Sequence, residues 1–294
     1  MILIALLSFW LWTPDINQEK LDARYLNAPA DRILVSGTVL HVRDSGPKSA
    51  PAIVFLHGFA SSLHTWESWA KDLEKDYRVI RLDLPGSGLS PADTTGDYTD
   101  TRSLQLVLAL IDQLGLDKVD LVGHSIGGRI AWTFAARHPQ RVNKLVLIAP
   151  DGFASPGFTY GQPPQVGASL KAMRYVLPKA LLRMSLLPAY AKPESLSNAL
   201  LVRYHDLMLA PGGREALLAR MSQTTLIDPV PLLKSITSPT LLLWGDKDAM
   251  IPVANAQNYL DALANSRLVT IPDTGHLPME ESAEIALKAL RAFL

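Results

Sequence analysis

The chain has 294 residues, no cysteine, and 28 Lys plus Arg against 28 Asp plus Glu. The balanced charge lacks the basic field that draws a protein to nucleic acid, so we expect no nucleic-acid partner. Without cysteine the chain has no disulfide, no thiolate nucleophile and no cysteine-ligated metal. A hydrophobic fraction of 48% is enough for one sizeable core.

Residues 1–14 form an apolar arm ahead of the first predicted strand. Its stretch MILIALLSFWLW, Met1 to Trp12, would span roughly 18 Å as a helix, against about 30 Å for the hydrocarbon core of a bilayer. Two tryptophans beside Thr13 and Pro14 are typical of a membrane interface. We therefore expect an interfacial segment or the remnant of an anchor, with peripheral membrane contact through residues 1–12 and the rest of the chain cytoplasmic. The alternative is an arm that packs on the protein's own surface.

After the arm, short apolar runs alternate with stretches of helical period. Helices are predicted near residues 62–76, 101–116, 126–138 and 254–263, and from about residue 281 to the end. Alternating strands and helices imply right-handed crossovers and a mostly parallel sheet with helices on both faces. The fold class is therefore α/β. The predicted strands contain the sequences ILVSG, TVLHVR, AIVFLHG, RVIRLDLPG, VDLVG, KLVLIAP, PTLLLWGD and RLVTIPD.

Residues 151–235 interrupt this rhythm, because they contain no convincing strand. A Pro- and Gly-rich entry, residues 152–167, leads into apolar helical stretches. The sequence thus predicts a core of residues 15–150 and 236–294 with a helical cap inserted between them. We expect some apolar side chains of residues 171–187 to roof the site, although Pro178 would bend a helix there.

The sequence LVGHSIGGRIAW places Ser125 between glycines at the junction of a predicted strand and a predicted helix. In the pattern G-x-S-x-G the serine occupies a sharp, strained turn, and Gly123 and Gly127 let strand and helix approach each other. This turn directs the amide of Ile126 and the helix N-terminus at charge that develops on a bound carbonyl. The strand before it and the helix after it are the context that the motif requires.

A serine nucleophile needs a base, and the base needs a group that holds its tautomer. Of the seven histidines, His276 follows the last predicted strand in IPDTGHLPMEE, which places it at the sheet edge that carries Ser125. We expect structural roles for the other six. For the acid, both Asp246 and Asp248 follow a buried strand in LLLWGDKDAMIP, and either aspartate alone is typical of a turn.

Five motifs in this order resemble the α/β-hydrolase fold superfamily over about residues 33–294: HGF, DLPGSGLS, GHSIGG, GDKDAMIP and the late GH. The chain order Ser125, Asp248, His276 is the one that this fold uses. The resemblance implies that Asp248 is the acid, that the amides of Phe59 and Ile126 form the oxyanion hole, and that the insertion is a helical cap. It implies no cofactor and no metal.

The reaction class expected from this resemblance is serine hydrolysis of a small-molecule carboxylic ester. A serine at the turn argues against haloalkane dehalogenases and epoxide hydrolases, which use an aspartate there. C–C bond hydrolases of ring-fission products remain an alternative, although they typically have a tryptophan where this chain has Leu277. A non-catalytic ligand-binding protein of the same fold is the second alternative. The acyl group, the alcohol and the oligomeric state stay open.

Overall fold

The computed structural model describes residues 11–154 and 159–294. Its centre is an eight-stranded sheet in the order β1-β2-β4-β3-β5-β6-β7-β8. The first two strands run antiparallel to their neighbours, and β3 to β8 are parallel. The strands are β1 Arg32–Val35, β2 Thr38–Ser45, β3 Ala52–Leu56, β4 Arg78–Leu82, β5 Val119–His124, β6 Val142–Ile148, β7 Thr240–Gly245 and β8 Ser266–Ile271.

Helices cover both faces of this sheet. Within the described ranges they are α1 Gln18–Tyr25, α2 Glu67–Leu73, α3 Asp100–Gln113, α4 Ile126–Arg137, α5 Ala168–Lys171, α6 Lys179–Leu186, α7 Asn198–Met208, α8 Gly213–Gln223, α9 Val230–Ser235, α10 Ala256–Ala262, α11 Pro278–Glu281 and α12 Ala283–Arg291. The predicted α/β class with a mostly parallel sheet is confirmed. Helix α1 was not predicted, because its sequence QEKLDARY has few apolar residues.

The two faces of the sheet hold separate apolar clusters because successive strand residues point in opposite directions. On β3, Val54 and Leu56 face the cluster that α3, α4, α9 and α10 complete. Ile53 and Phe55 face the cluster that includes residues of α2, α12 and the segment between β6 and β7. All residues of β3 are buried, as expected for a strand in the middle of a parallel sheet.

We call residues 151–235, which lie between β6 and β7, the insertion. Its described residues form helices and connecting loops without a strand. Pro178, which was expected to bend a helix in residues 171–187, separates a short helical turn from α6. Leu177 and Leu182 are buried, whereas Leu181 and Met184 are exposed.

The segment from residue 11 to α1 lies against the insertion. Asp15 pairs with Arg214 of α8, and Asp206 of α7 accepts hydrogen bonds from Arg24 and Tyr25. Leu21 packs with apolar residues that include Leu89, Leu207 and Ala210. The first ten residues of the predicted arm lie outside the described residues. No helix within the described part of the chain is long and apolar enough to cross a membrane.

Candidate active site

Ser125 occupies the turn between β5 and α4 in a strained backbone conformation. Its φ is 53° and its ψ is −119°, a backbone conformation that residues other than glycine rarely adopt. Such a conformation costs about 1–3 kcal/mol and persists only where the surrounding structure holds it. The Ser125 carbonyl accepts hydrogen bonds from the amides of Arg129 and Asp151, at 3.0 Å each. The turn predicted from the sequence is therefore present.

Three glycines are required because neighbouring atoms lie too close for a side chain. A Cβ on Gly123 would lie 2.2 Å from the Gly127 carbonyl oxygen, and one on Gly127 would lie 2.3 Å from the Leu56 oxygen. A Cβ on Gly128 would lie 2.8 Å from Pro150. The glycines thus let α4 pack directly on the ends of β3 and β5, which fixes the position of Ser125.

Asp248 and His276 form a buried pair at the same edge of the sheet. The Nδ1–H of His276 donates to Asp248 Oδ2 at 2.7 Å, and both side chains are at most 5% exposed. The other oxygen of Asp248 accepts from the amides of Met250 and Ile251. These bonds hold the carboxylate in one orientation. By contrast, Asp246 is exposed and accepts a 3.3 Å hydrogen bond from the amide of Thr274.

His124 joins the serine turn to the histidine loop. Its Nε2 donates to the carbonyl of His276 at 2.8 Å, and the two ring centroids are 4.6 Å apart. Burial lowers the pKa of His124 well below its usual value, and the nearby His276 lowers it further. The His124 ring is therefore neutral. Since Ser125 follows His124 in the chain, this contact brings serine and His276 to one place. The described residues include no hydrogen bond between the Ser125 hydroxyl and His276.

Gly58 brings Phe59 close to the serine. A Cβ on Gly58 would lie 3.3 Å from Ser125 Cβ and 2.6 Å from His124 Nδ1. In the part of the chain that the structure describes, the amides of Phe59 and Ile126 have no hydrogen-bond acceptor. Both are therefore free to donate to a ligand, and the Ile126 amide is also one of the unpaired donors at the N-terminus of α4.

His57 holds the loop that contains Gly58 and Phe59. Its Nε2 accepts from the amide of Leu84 at 3.0 Å, and its Nδ1–H donates to the carbonyl of Gly58 at 2.7 Å. Burial lowers the pKa of His57, which keeps the ring neutral. A neutral ring can be acceptor and donor at once, so His57 ties the loop that follows β3 to the loop that follows β4.

The insertion is attached to the histidine loop by a carboxylate that the sequence analysis missed. Glu281 accepts hydrogen bonds from the amides of Gly275, Ala191 and Lys192 at 2.6–3.1 Å. The neighbouring Glu280 accepts from the hydroxyls of Tyr190 and Tyr204. Both carboxylates lie within the sequence LPMEE, but a pair of acids in the first turn of a helix is common and carried no distinguishing signal.

A second connection runs through Arg129 of α4, which the sequence also did not single out. Its guanidinium pairs with Asp100 at the start of α3 and with Asp151 at the start of the insertion. It also lies 3.4 Å from the hydroxyl of Thr224, which directly follows α8 of the insertion. Arg129 thus links α4, the helix that follows Ser125, to two separate parts of the insertion.

The structure offers little for a metal ion. Among residues 11–154 and 159–294, no three His, Asp or Glu side chains are grouped as metal ligands would be.

Comparison with known proteins gives the family of the chain. Residues 51–283 match the model of the alpha/beta hydrolase fold family. The chain is 32% identical over 272 residues to the dihydrolipoyllysine-residue acetyltransferase component of an acetoin cleaving system from Pseudomonas putida, covering 88% of this chain and 68% of the relative. It is 29% identical to 2-hydroxy-6-oxononadienedioate/2-hydroxy-6-oxononatrienedioate hydrolase from Klebsiella pneumoniae, covering 83% and 87% of the two chains.

A solved structure agrees with this assignment. An esterase from Exiguobacterium antarcticum superposes with a TM-score of 0.73 at 28% sequence identity, covering 89% of this chain and 98% of the esterase. These similar proteins carry different activities on one fold, so the reaction has to be argued from the site. The extent of the family match and the described fold together establish that the chain belongs to the α/β-hydrolase family.

Proposed function

We propose that the chain is a serine hydrolase that cleaves carboxylic esters through an acyl-enzyme. The observation that carries the proposal is that two features lie together at the carboxyl ends of the strands. One is Ser125 on its strained turn, and the other is the buried Asp248–His276 pair. This order and these side-chain types match the roles of nucleophile, orienting acid and base.

In the proposed mechanism Ser125 Oγ attacks the ester carbonyl while His276 Nε2 takes its proton. The carbonyl oxygen becomes an oxyanion that the amides of Phe59 and Ile126 stabilise. His276 then donates the proton to the departing alcohol, which leaves the acyl group on Ser125. Water activated by His276 releases the acid. Asp248 holds the Nδ1–H tautomer and stabilises the imidazolium throughout.

The Ser125 hydroxyl reaches His276 only on substrate binding in this mechanism. Catalytic hydrogen bonds are often long or poorly aligned in free enzymes and tighten in the substrate complex. The contact between His124 and His276 holds the residue that precedes Ser125 against the proposed base.

C–C bond hydrolysis is the second candidate, and the similarity to the Klebsiella hydrolase favours it. The same three side chains would serve that reaction. The residue after His276 is Leu277, which is buried in the apolar cluster beside α11. We propose an ester as the substrate because this chain has Leu277 where C–C bond hydrolases typically have a tryptophan.

The test uses a fluorophosphonate probe and a substrate panel. The wild type should be labelled at Ser125 and should hydrolyse p-nitrophenyl esters of short to medium chain, while Ser125→Ala should lose both properties and stay folded. Absence of labelling in the wild type would favour a ligand-binding protein. Fast cleavage of a ring-fission dienoate with only trace esterase activity would favour the C–C hydrolase.

We further propose that residues 1–12 bring the protein to a membrane surface. The support is their apolar sequence, which contains Ser8 as its only polar residue, and the tryptophans at positions 10 and 12. Trp12 is 54% exposed, although an aromatic side chain of this size normally avoids water.

A further inference from the structure

Helix α6 of the insertion exposes an apolar side to solvent. Leu181 is 50% exposed and Met184 is 69% exposed, and they lie three residues apart on one helical face. Ala180, Ser185 and Pro188 are the other exposed residues on this side, and none of them is charged. Exposed helix faces usually carry charged or polar side chains. The outer side of α6 therefore lacks the charged side chains of a typical solvent-exposed helix face.

The apolar arm meets the chain beside this helix. The Thr13 amide donates to the carbonyl of Tyr175 at 2.9 Å, and the Leu177 amide donates to Thr13 Oγ1 at 3.0 Å. Trp12 stacks on Tyr175, with ring centroids 5.8 Å apart and planes within 19°. Tyr175 is itself 50% exposed. Since Leu181 is four residues beyond Leu177, the arm ends within about 14 Å of the exposed face of α6.

The residues around α6 carry an excess of positive charge. Residues 152–193 contain no Asp or Glu, whereas they contain Lys171, Arg174, Lys179, Arg183 and Lys192. Within the described ranges the three lysines make no ion pair, and Arg174 pairs with Glu215 at 3.4 Å. Cations around an apolar helix face are the pattern of segments that lie on anionic lipid.

The arm by itself is a poor cover for α6. With one serine among its first twelve residues, an arm lying on α6 would turn a second apolar side to water. A second copy of the chain would bring the unpaired lysines of this region against each other, which is unfavourable. A lipid surface removes both problems, because it takes up the arm and the helix face together and supplies negative charge to the lysines.

We propose that the outer face of α6 docks on an anionic lipid surface. The apolar contacts are Trp12, Tyr175, Leu181 and Met184, and Lys171 and Lys179 lie beside them. In this arrangement the arm and α6 enter the interface side by side. Helix α6 continues through residues 187–189, and the Ala189 carbonyl accepts a hydrogen bond from the His276 amide. The docked surface therefore lies one short segment away from the site.

Vesicle sedimentation tests the docking surface. The probes are vesicles of phosphatidylcholine alone and of phosphatidylcholine mixed with phosphatidylglycerol. The full chain should bind the mixed vesicles more tightly, and salt should weaken that binding. The double variant Leu181→Glu/Met184→Glu should bind at least about tenfold more weakly, because it replaces two inserted apolar side chains with like charge. Its activity on a soluble ester should not change.

Ile285→Glu is the matched control, since Ile285 is 54% exposed on α12, outside the insertion. It should bind vesicles as the wild type does. The variant Ser125→Ala should also bind normally, so the docking result does not depend on the proposed catalysis. Deletion of residues 1–10 should weaken binding, and the double variant should weaken it further in that background.

Three results would overturn the proposal. The double variant could bind vesicles as tightly as the wild type, which would leave the arm as the whole attachment. Sedimentation velocity could show a dimer that the double variant dissociates, which would make a second copy the partner of α6. The full chain could fail to bind vesicles that the chain lacking residues 1–10 binds, which would mean that the arm covers the face.

Discussion

The amide of His276 donates a 2.7 Å hydrogen bond to the carbonyl of Ala189, which joins the histidine loop to the insertion. The contact is close, since a Cβ on the neighbouring Gly275 would lie 2.5 Å from the same carbonyl oxygen. The end of the insertion's α6 segment is therefore part of the support for His276. Any movement of residues 189–192 would move the proposed base.

The two aspartates after β7 should differ sharply in their effect on activity. Asp248→Asn should lower the esterase rate by about 10⁴, because the amide no longer favours the Nδ1–H tautomer or stabilises the imidazolium. Asp246→Asn should stay close to wild type, since Asp246 is exposed and does not contact His276. Steady-state kinetics on one soluble ester checks both variants. A reversed order would place the acid at residue 246.

Glu281 should act as a support for the histidine loop. In Glu281→Gln an NH2 group replaces one of the two carboxylate oxygens, so at least one hydrogen bond from the amides of Gly275, Ala191 and Lys192 is lost. The remaining bonds weaken, because a neutral amide oxygen is a poorer acceptor. We expect a stability loss of about 1.5–3 kcal/mol and a lower kcat. Urea unfolding and kinetics measure the two effects. Glu284→Gln on the exposed side of α12 is the control, and an equal effect there would contradict this role.

Gly127 should not tolerate a side chain. In Gly127→Ala the new Cβ would start 2.3 Å from the Leu56 carbonyl oxygen, so α4 would have to move away from β3. We expect a destabilisation of about 1–3 kcal/mol with loss of fluorophosphonate labelling, because the move displaces Ser125. Gly167→Ala is the matched control, since its nearest neighbour would be 4.0 Å away. Normal labelling of Gly127→Ala would show that the turn is not held by this contact.

Stability should fall in mild acid, in part through His64. Burial lowers the pKa of His64 from 6.5 to about 4, with nearby Asp83 opposing the shift. The unfolded chain therefore takes up this proton first, so stability is lost as the pH falls from 6.5 towards 4. The contribution of His64 is at most about 3 kcal/mol. Thermal unfolding across this range should depend less steeply on pH in His64→Gln, and an unchanged slope would contradict the prediction.

Local sequence was sufficient for much of the core. The alternation of apolar runs and helical periods predicted the eight strands and the helices that cover them, because strand and helix periods are set by nearby residues. The turn at Ser125 was predicted for a similar reason. Its glycines at positions 123 and 127 report a backbone approach that no side chain allows, so the signal lies within five residues.

The choice between Asp246 and Asp248 could not be made from local sequence, because both follow β7 and both suit a turn. Only the assembled sheet places Asp248 Oδ2 against His276 Nδ1, across 28 residues of chain. The roles of Glu281 and Arg129 are also tertiary, since their partners come from distant loops. The sequence by itself determined the strands of the sheet, most of the helices that cover it, and which residue types could react. The tertiary structure decided which charges meet, because hydrogen-bond partners depend on distances that chain position does not contain.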